Sequence, residues 1–165
     1  MKIKAFAALF LFILTSVHLQ SQSPKKYRTY HNERFGFCLE VPFQIFEAQR
    51  PPENGDGLRF LSHWGESLLL SYGGHSLGMS LKEHMEFSLE AGDFRDRKRE
   101  LSYQRIADDF FILSGYVGEK IFYRRTYLEN KIFKTLYLEY PKTQKERYDK
   151  IISHMVKTFP YCPSN

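Results

Sequence analysis

The sequence predicts an α+β fold, a mainly antiparallel β-sheet flanked by helices. Three observations carry this. Segments with a period of two recur from Phe35 to Tyr140, clusters of turn residues separate them, and two amphipathic stretches open with helix-start signals.

A leader precedes the first strand. Lys2 and Lys4 form a positive n-region, Ala5 to Leu14 are ten uninterrupted apolar residues, and Thr15 to Ser23 turn polar, the layout of a secretory signal peptide. Ten apolar residues fall short of the about 20 that a membrane-spanning helix needs. A permanent anchor is therefore disfavoured, and no cysteine follows the apolar run to be acylated as in a bacterial lipoprotein. Residues 1–22 are read as a signal peptide, 23–34 as an N-terminal extension with the first strand, and 35–165 as a single domain. The expected location is periplasmic or secreted, with no stable membrane span after signal cleavage.

The leader holds two of the 24 basic residues and none of the 19 acidic ones, which leaves 22 against 19, a mild surplus. The densest basic run, Arg95-Asp96-Arg97-Lys98-Arg99, is followed by Glu100 and reads as a solvated loop rather than an anion-binding patch. Nucleic acid is not an expected partner, since binding it would conflict with export.

Phe35, Phe37, Leu39 and Val41 alternate with Gly36, Cys38 and Glu40 until Pro42 stops the run, giving a strand with one core face. Pro51-Pro52-Glu53-Asn54-Gly55-Asp56-Gly57 then concentrates turn residues, and strands resume at Leu58–Ser62 and Ser67–Tyr72. The Leu68-Leu69-Leu70 run suits a strand buried on both faces. Ser80-Leu81-Lys82-Glu83 is a capping box, Leu81, Met85 and Leu89 fall on one stripe, and Gly92 can take the left-handed position after the last turn, so a helix is expected over about 81–91. His84 borders that stripe as a packing residue.

From Leu101 to Tyr140 the chain reads as a four-strand meander. Its turns fall at Ala107-Asp108-Asp109, Gly118-Glu119 and Glu129-Asn130. Ile121, Tyr123 and Tyr127 oppose Phe122 and Leu128 in the third strand, and Ile132, Leu136, Leu138 and Tyr140 oppose Phe133 and Tyr137 in the fourth. Both faces need cover, which helices on two sides of one sheet would supply. After Pro141, Thr143-Gln144-Lys145-Glu146 is a second capping box, and Tyr148, Ile151, Ile152, Met155, Val156 and Phe159 form one buried stripe that Pro160 ends.

Two cysteines lie beyond the leader, Cys38 and Cys162. In an exported chain they read as a disulfide tying the tail to an early strand, the alternative being two free thiols. The histidines at 31, 63, 75, 84 and 154 show no metal-ligand spacing. A dispersed site, for instance from His63 and His75, would have to come from the fold. Ser114, in Leu113-Ser114-Gly115, lacks the glycine two positions earlier that a nucleophile elbow requires, and Gly115 instead suits a bulge or close packing. Asp108 and Asp109 fit a turn. No catalytic, metal-ligating or cofactor-binding residue is assigned, and no cofactor is expected.

The 26 phenylalanines and tyrosines, with Trp64, suit either aromatic platforms for sugar or peptide binding or, the reading preferred, the core of a small sheet with two helix-covered faces. Trp64, beside Gly65 in a turn, and the Arg124-Arg125 pair are the candidate binding-surface residues.

The order of these elements, with Phe35-Gly36-Phe37 and Pro42, Asn54-Gly55-Asp56-Gly57 and Phe60, Tyr72-Gly73, Leu113-Ser114-Gly115, Phe122-Tyr123 and Tyr140-Pro141 before an amphipathic helix, resembles exported bacterial proteins of the PsbP-like fold. The resemblance spans almost the whole chain after the leader and rests on order and spacing. It implies an α/β/α sandwich in a superfamily of mostly non-enzymatic binders and assembly factors: extrinsic photosystem subunits, a Ran-binding import factor and chaperones for secreted effectors. It transfers no catalytic residue, and the leader sets this chain apart from the cytoplasmic members. The expectation is a non-catalytic periplasmic or secreted protein that binds a protein partner or envelope component through a sheet edge or loop. The alternatives are a hydrolase or metal-dependent enzyme with a dispersed site, and a small-ligand binder.

Overall fold

The computed structural model describes residues 26–90 and 98–162. The expected signal peptide over 1–22, the terminal Gly92 of the first helix and Arg95, Asp96 and Arg97 of the basic run lie outside them.

The chain enters through a hairpin in which β1 (Arg28–Asn32) pairs with β2 (Phe37–Val41), His31 standing opposite Cys38. Gly36, at φ +60°, turns the chain so that the strand begins at Phe37 rather than Phe35. The two strands form a sheet of their own, where the sequence alone suggests a single sheet. Phe37, Leu39 and Val41 all point into the core, as their alternation requires.

Among the described residues the main sheet has seven antiparallel strands. They are β3 (Phe46–Ala48), β4 (Gly57–Ser62), β5 (Leu68–His75), β6 (Glu100–Ile106), β7 (Phe110–Val117), β8 (Lys120–Glu129) and β9 (Ile132–Pro141), in the spatial order β3-β4-β5-β9-β8-β7-β6. The first helix, α1 (Leu81–Glu90), lies in the connection between β5 and β6, which sit at different places in that order. The meander then returns strand by strand until β9 pairs with β5. The second helix, α2 (Lys145–Thr158), follows β9 after a single 3-10 turn at Lys142–Gln144.

Two cores result, one on each face. Leu69, Ile121, Leu136, Leu138 and Tyr140 pack with the β2 residues and with Tyr148, Ile151, Ile152, Met155 and Phe159 of the α2 region. On the opposite face Phe111, Leu113, Phe122, Phe133 and Tyr137 pack with Leu81 of α1. The division of β8 and β9 side chains between these cores is the one their sequence alternation predicts.

The helices differ from expectation in detail. The Ser80 capping box forms: Ser80 N and Oγ donate to Glu83 Oε2 at 2.7 and 2.8 Å, and Glu83 N donates to Ser80 Oγ at 3.3 Å. Those bonds to the ionised form hold the Glu83 carboxyl below its usual range. Leu89, however, is 37% exposed, and Ser88 is the buried residue of the last turn. A period of 3.6 brings position 88, seven residues on, back over Leu81, and the Ser88 hydroxyl is satisfied by donating to His84 O at 2.7 Å. The Thr143 box does not form; Gln144 stands at the cap without a side-chain cap bond. Its amide instead donates to Glu66 Oε2 at 3.0 Å. The β8–β9 turn also sits one residue later than expected, at Asn130-Lys131, both with positive φ.

Gly115 has the close-packing role its sequence context suggests. β6 carries a bulge between Leu101 and Tyr103, opposite Ser114 and Gly115. A Cβ on Gly115 would stand 2.0 Å from the Glu100 backbone oxygen. Gly115→Ala is therefore expected to lose about 1–3 kcal/mol of stability, measured as a lowered denaturation midpoint with an unchanged m-value.

Burial also sets the tyrosine ionisation. Desolvation is the main cause that pushes the phenols of Tyr123, Tyr127 and Tyr148 upward, and it raises Tyr140 to about 12. The folded protein keeps protons that an unfolded chain releases from about pH 10 upward, so stability is expected to fall as pH rises toward 12. An ultraviolet phenolate titration of the native protein should show a late-ionising class that disappears on unfolding.

Candidate functional site

Arg124 and Arg125 are successive residues of β8 and so point to opposite faces. Arg124, one of the candidate binding-surface residues, is only 3% exposed. It lies on the α1 side, where its Nε donates to Thr126 Oγ1 at 3.1 Å and its Nη2 meets His84 Nε2 at 3.4 Å. Tyr137 and Glu139 share this face, the tyrosine hydroxyl donating to Glu139 Oε1 at 2.6 Å. Arg125 is half-buried on the other face, its guanidinium 3.9 Å from the Phe110 ring centre and 4.9 Å from that of Tyr127. Both arginines have partners within the sheet, a context that a two-residue basic pair does not reveal.

Trp64 is 65% exposed in the β4–β5 turn. The Arg147 guanidinium lies 5.8 Å from its ring centre. With Glu66, Lys142, Gln144 and Lys145 the pair lines an open groove of about 790 Å³ at the start of α2. The structure thus leaves Trp64 on a surface and does not bring it together with either arginine.

The feature that sequence reasoning missed is β6. Strand β3, at one edge of the sheet, is only three residues long and is followed by Pro51 and Pro52, which blunts it. At the other edge all seven residues of β6 are exposed, with Leu101, Tyr103 and Ile106 at 40, 49 and 47%. Among the described residues this strand pairs with β7 alone. Ala107 N donates to Phe110 O at 2.8 Å, and the antiparallel alternation from that bond turns the amides of Ile106 and Gln104 outward, away from β7. Arg99 reinforces the strand's entry by donating to Ser88 O at 3.0 Å and Leu89 O at 3.3 Å, at the C-terminal turn of α1. The Leu-Ser-Tyr-Gln-Arg-Ile alternation reads as an ordinary strand, and its lack of cover depends on what packs over it.

Among the described residues the histidines do not converge on one centre. His63 lies in the β4–β5 turn with its ring nitrogen 3.3 Å from Phe43 O, whereas His75 ends β5 at the opposite end and packs edge-on to Phe35. His154 of α2 meets Glu40 of β2 at 2.6 Å and stacks on Tyr27 at 3.8 Å, beside an open groove that Arg28 and Phe43 also line. Ser114 donates to Phe122 O at 2.8 Å inside the sheet, a structural bond. Cys38 and Cys162 form a disulfide.

Comparison with known proteins agrees with this architecture. The chain is similar to the solution structure of cyanobacterial PsbP (CyanoP) from Synechocystis sp. PCC 6803, with a TM-score of 0.61, 13% identity, and coverage of 85% of this chain and 96% of that one. The fold is PsbP-like. No family model and no curated protein matches the sequence. The PsbP-like sandwich accounts for the antiparallel sheet between two helices, and at this identity the likeness concerns the fold alone. No helix among the described residues is long and apolar enough to cross a membrane.

Proposed function

We propose that this protein is a non-catalytic, periplasmic or secreted binding protein whose partner protein adds a strand to the β6 edge. The observation that carries the proposal is the exposure of all of β6 at a sheet edge that, among the described residues, no strand covers. Strand addition draws affinity from outward-facing main-chain groups and specificity from alternate side chains. Here Gln104 and Ile106 supply the former, and Leu101 and Tyr103 add exposed apolar surface. The leader and the disulfide support an exported location, and the PsbP-like fold is compatible with a non-enzymatic role.

Affinity capture from envelope extract tests the reading. Wild-type protein should retain a defined partner, and Gln104→Pro should lose it, since proline removes an outward N–H without taking a donor from the β7 ladder. A Tyr103→Lys/Ile106→Lys variant should give the same loss by blocking the edge with charge. Nothing captured, together with reproducible turnover in a broad hydrolase screen, would overturn the proposal in favour of an enzyme.

A further inference from the structure

His31, Cys38 and Cys162 come together from three parts of the chain. His31 and Cys38 are paired across the β1–β2 hairpin, and Cys162 reaches them from the tail after α2. A ring nitrogen of His31 and the two sulfurs all lie within 4.8 Å of one another. Cys38 is buried while His31 and Cys162 are exposed, so the cluster opens to solvent on one side.

The tail is also held by bonds other than the disulfide. Cys38 N donates to Pro160 O at 3.1 Å, and Tyr161 N donates to Thr158 O at 2.8 Å. Phe159, one residue before Pro160, is buried in the α2 core. These contacts fix the backbone on both sides of the sulfurs, so opening the disulfide leaves two thiols and an imidazole facing one small volume.

We infer that the reduced protein binds one zinc ion through Cys38, Cys162 and His31. Two thiolates and an imidazole form a soft donor set suited to a tetrahedral d10 cation, with Zn–S near 2.3 Å and Zn–N near 2.0–2.1 Å. Ligand atoms at those lengths stand about 3.5 Å apart around the ion, so side-chain rotation must part the sulfurs and draw His31 inward. The two thiolates neutralise the dication. Water takes the fourth position on the exposed side.

The chemistry balances with a dithiol as reductant. The dithiol transfers two electrons and two protons to the Cys38–Cys162 bond, giving two thiols, and itself closes to a disulfide. Zinc binding then releases both thiol protons. Two-electron oxidation by a disulfide oxidant reforms the bond and ejects the ion, and the oxidant, taking up two protons from water, is returned as a dithiol. The tail is thereby held to the hairpin covalently in one state and by the metal in the other, independently of the β6 edge.

Anaerobic titration of the full chain with Zn2+, after dithiol reduction and removal of the dithiol, tests this. One ion per reduced chain is expected, with none taken up by the oxidised chain. His31→Ala, which leaves the disulfide intact, should weaken binding at least tenfold. Co2+ used as a probe should give tetrahedral ligand-field bands and thiolate charge-transfer absorption in the reduced wild type. If reduction unfolds the chain, the readout becomes recovery of near-ultraviolet circular dichroism on adding Zn2+. Recovery in wild type but not in His31→Ala supports the site. No uptake or recovery, or equal affinity in His31→Ala, overturns it.

Discussion

Replacing the disulfide with Cys38→Ser/Cys162→Ser is expected to cost about 4–5 kcal/mol. The bridge joins residues 124 positions apart. In the chain-entropy model the stabilisation grows with the logarithm of loop length and is about 4.7 kcal/mol for a 100-residue loop. A domain of this size has about 5–15 kcal/mol in total, so the variant should stand close to its unfolding threshold. The tail retains the Cys38 N to Pro160 O bond and the burial of Phe159, which keep it near β2 in whatever fraction stays folded. Equilibrium denaturation with urea measures the loss. A midpoint unchanged from that of the oxidised wild type would show that the bridge constrains little.

Phe37→Ala should cost about 3–5 kcal/mol, the range for deleting a buried aromatic ring. Phe37 is fully buried, with ring centres 5.8 Å from Phe159 and 6.1 Å from Tyr30 in edge-to-face contacts. Phe159 in turn contacts Tyr127 of β8 at 5.9 Å. The ring thus joins the hairpin, the end of α2 and the sheet, and truncation leaves a cavity where three elements meet. Leu101→Ala on β6 provides the contrast. Its side chain is 40% exposed, and a surface change of that kind should stay within about 0.5 kcal/mol. Paired denaturation curves should therefore separate a residue retained for the core from one that the fold does not need.

Much of the fold was legible because it is written in local patterns. The alternation from Phe37 to Val41, the two-faced side chains of β8 and β9, the Ser80–Glu83 box and the α2 stripe each specify an element and the side it buries. Gly115 was legible for the same reason, as a glycine within a strand marks a bulge or close approach. The separate β1–β2 sheet was not, because alternation shows that a strand has a core face without showing which strand it pairs with. Thr143 and Glu146 have the spacing of a capping box, yet the chain leaves β9 through a 3-10 turn that moves the helix start to Lys145.

The candidate site was less legible than the fold. Trp64 proved exposed, but nothing in Arg124-Arg125 distinguishes an arginine under α1 from one lying over Phe110. The openness of β6 depends on its lying at one end of the seven-strand order with no further strand beside it among the described residues, a long-range property. His31, Cys38 and Cys162 meet only because a hairpin register and a C-terminal tail coincide.

Site-specific photo-crosslinking tests the central claim most directly. A photoreactive aromatic residue is placed at Tyr103 in one protein and at Trp64 in another, and each is irradiated in envelope extract. Binding by strand addition at β6 predicts one discrete adduct from position 103 that is lost with Gln104→Pro, and none from position 64. An adduct from position 64 alone, or no adduct from position 103, would contradict the account.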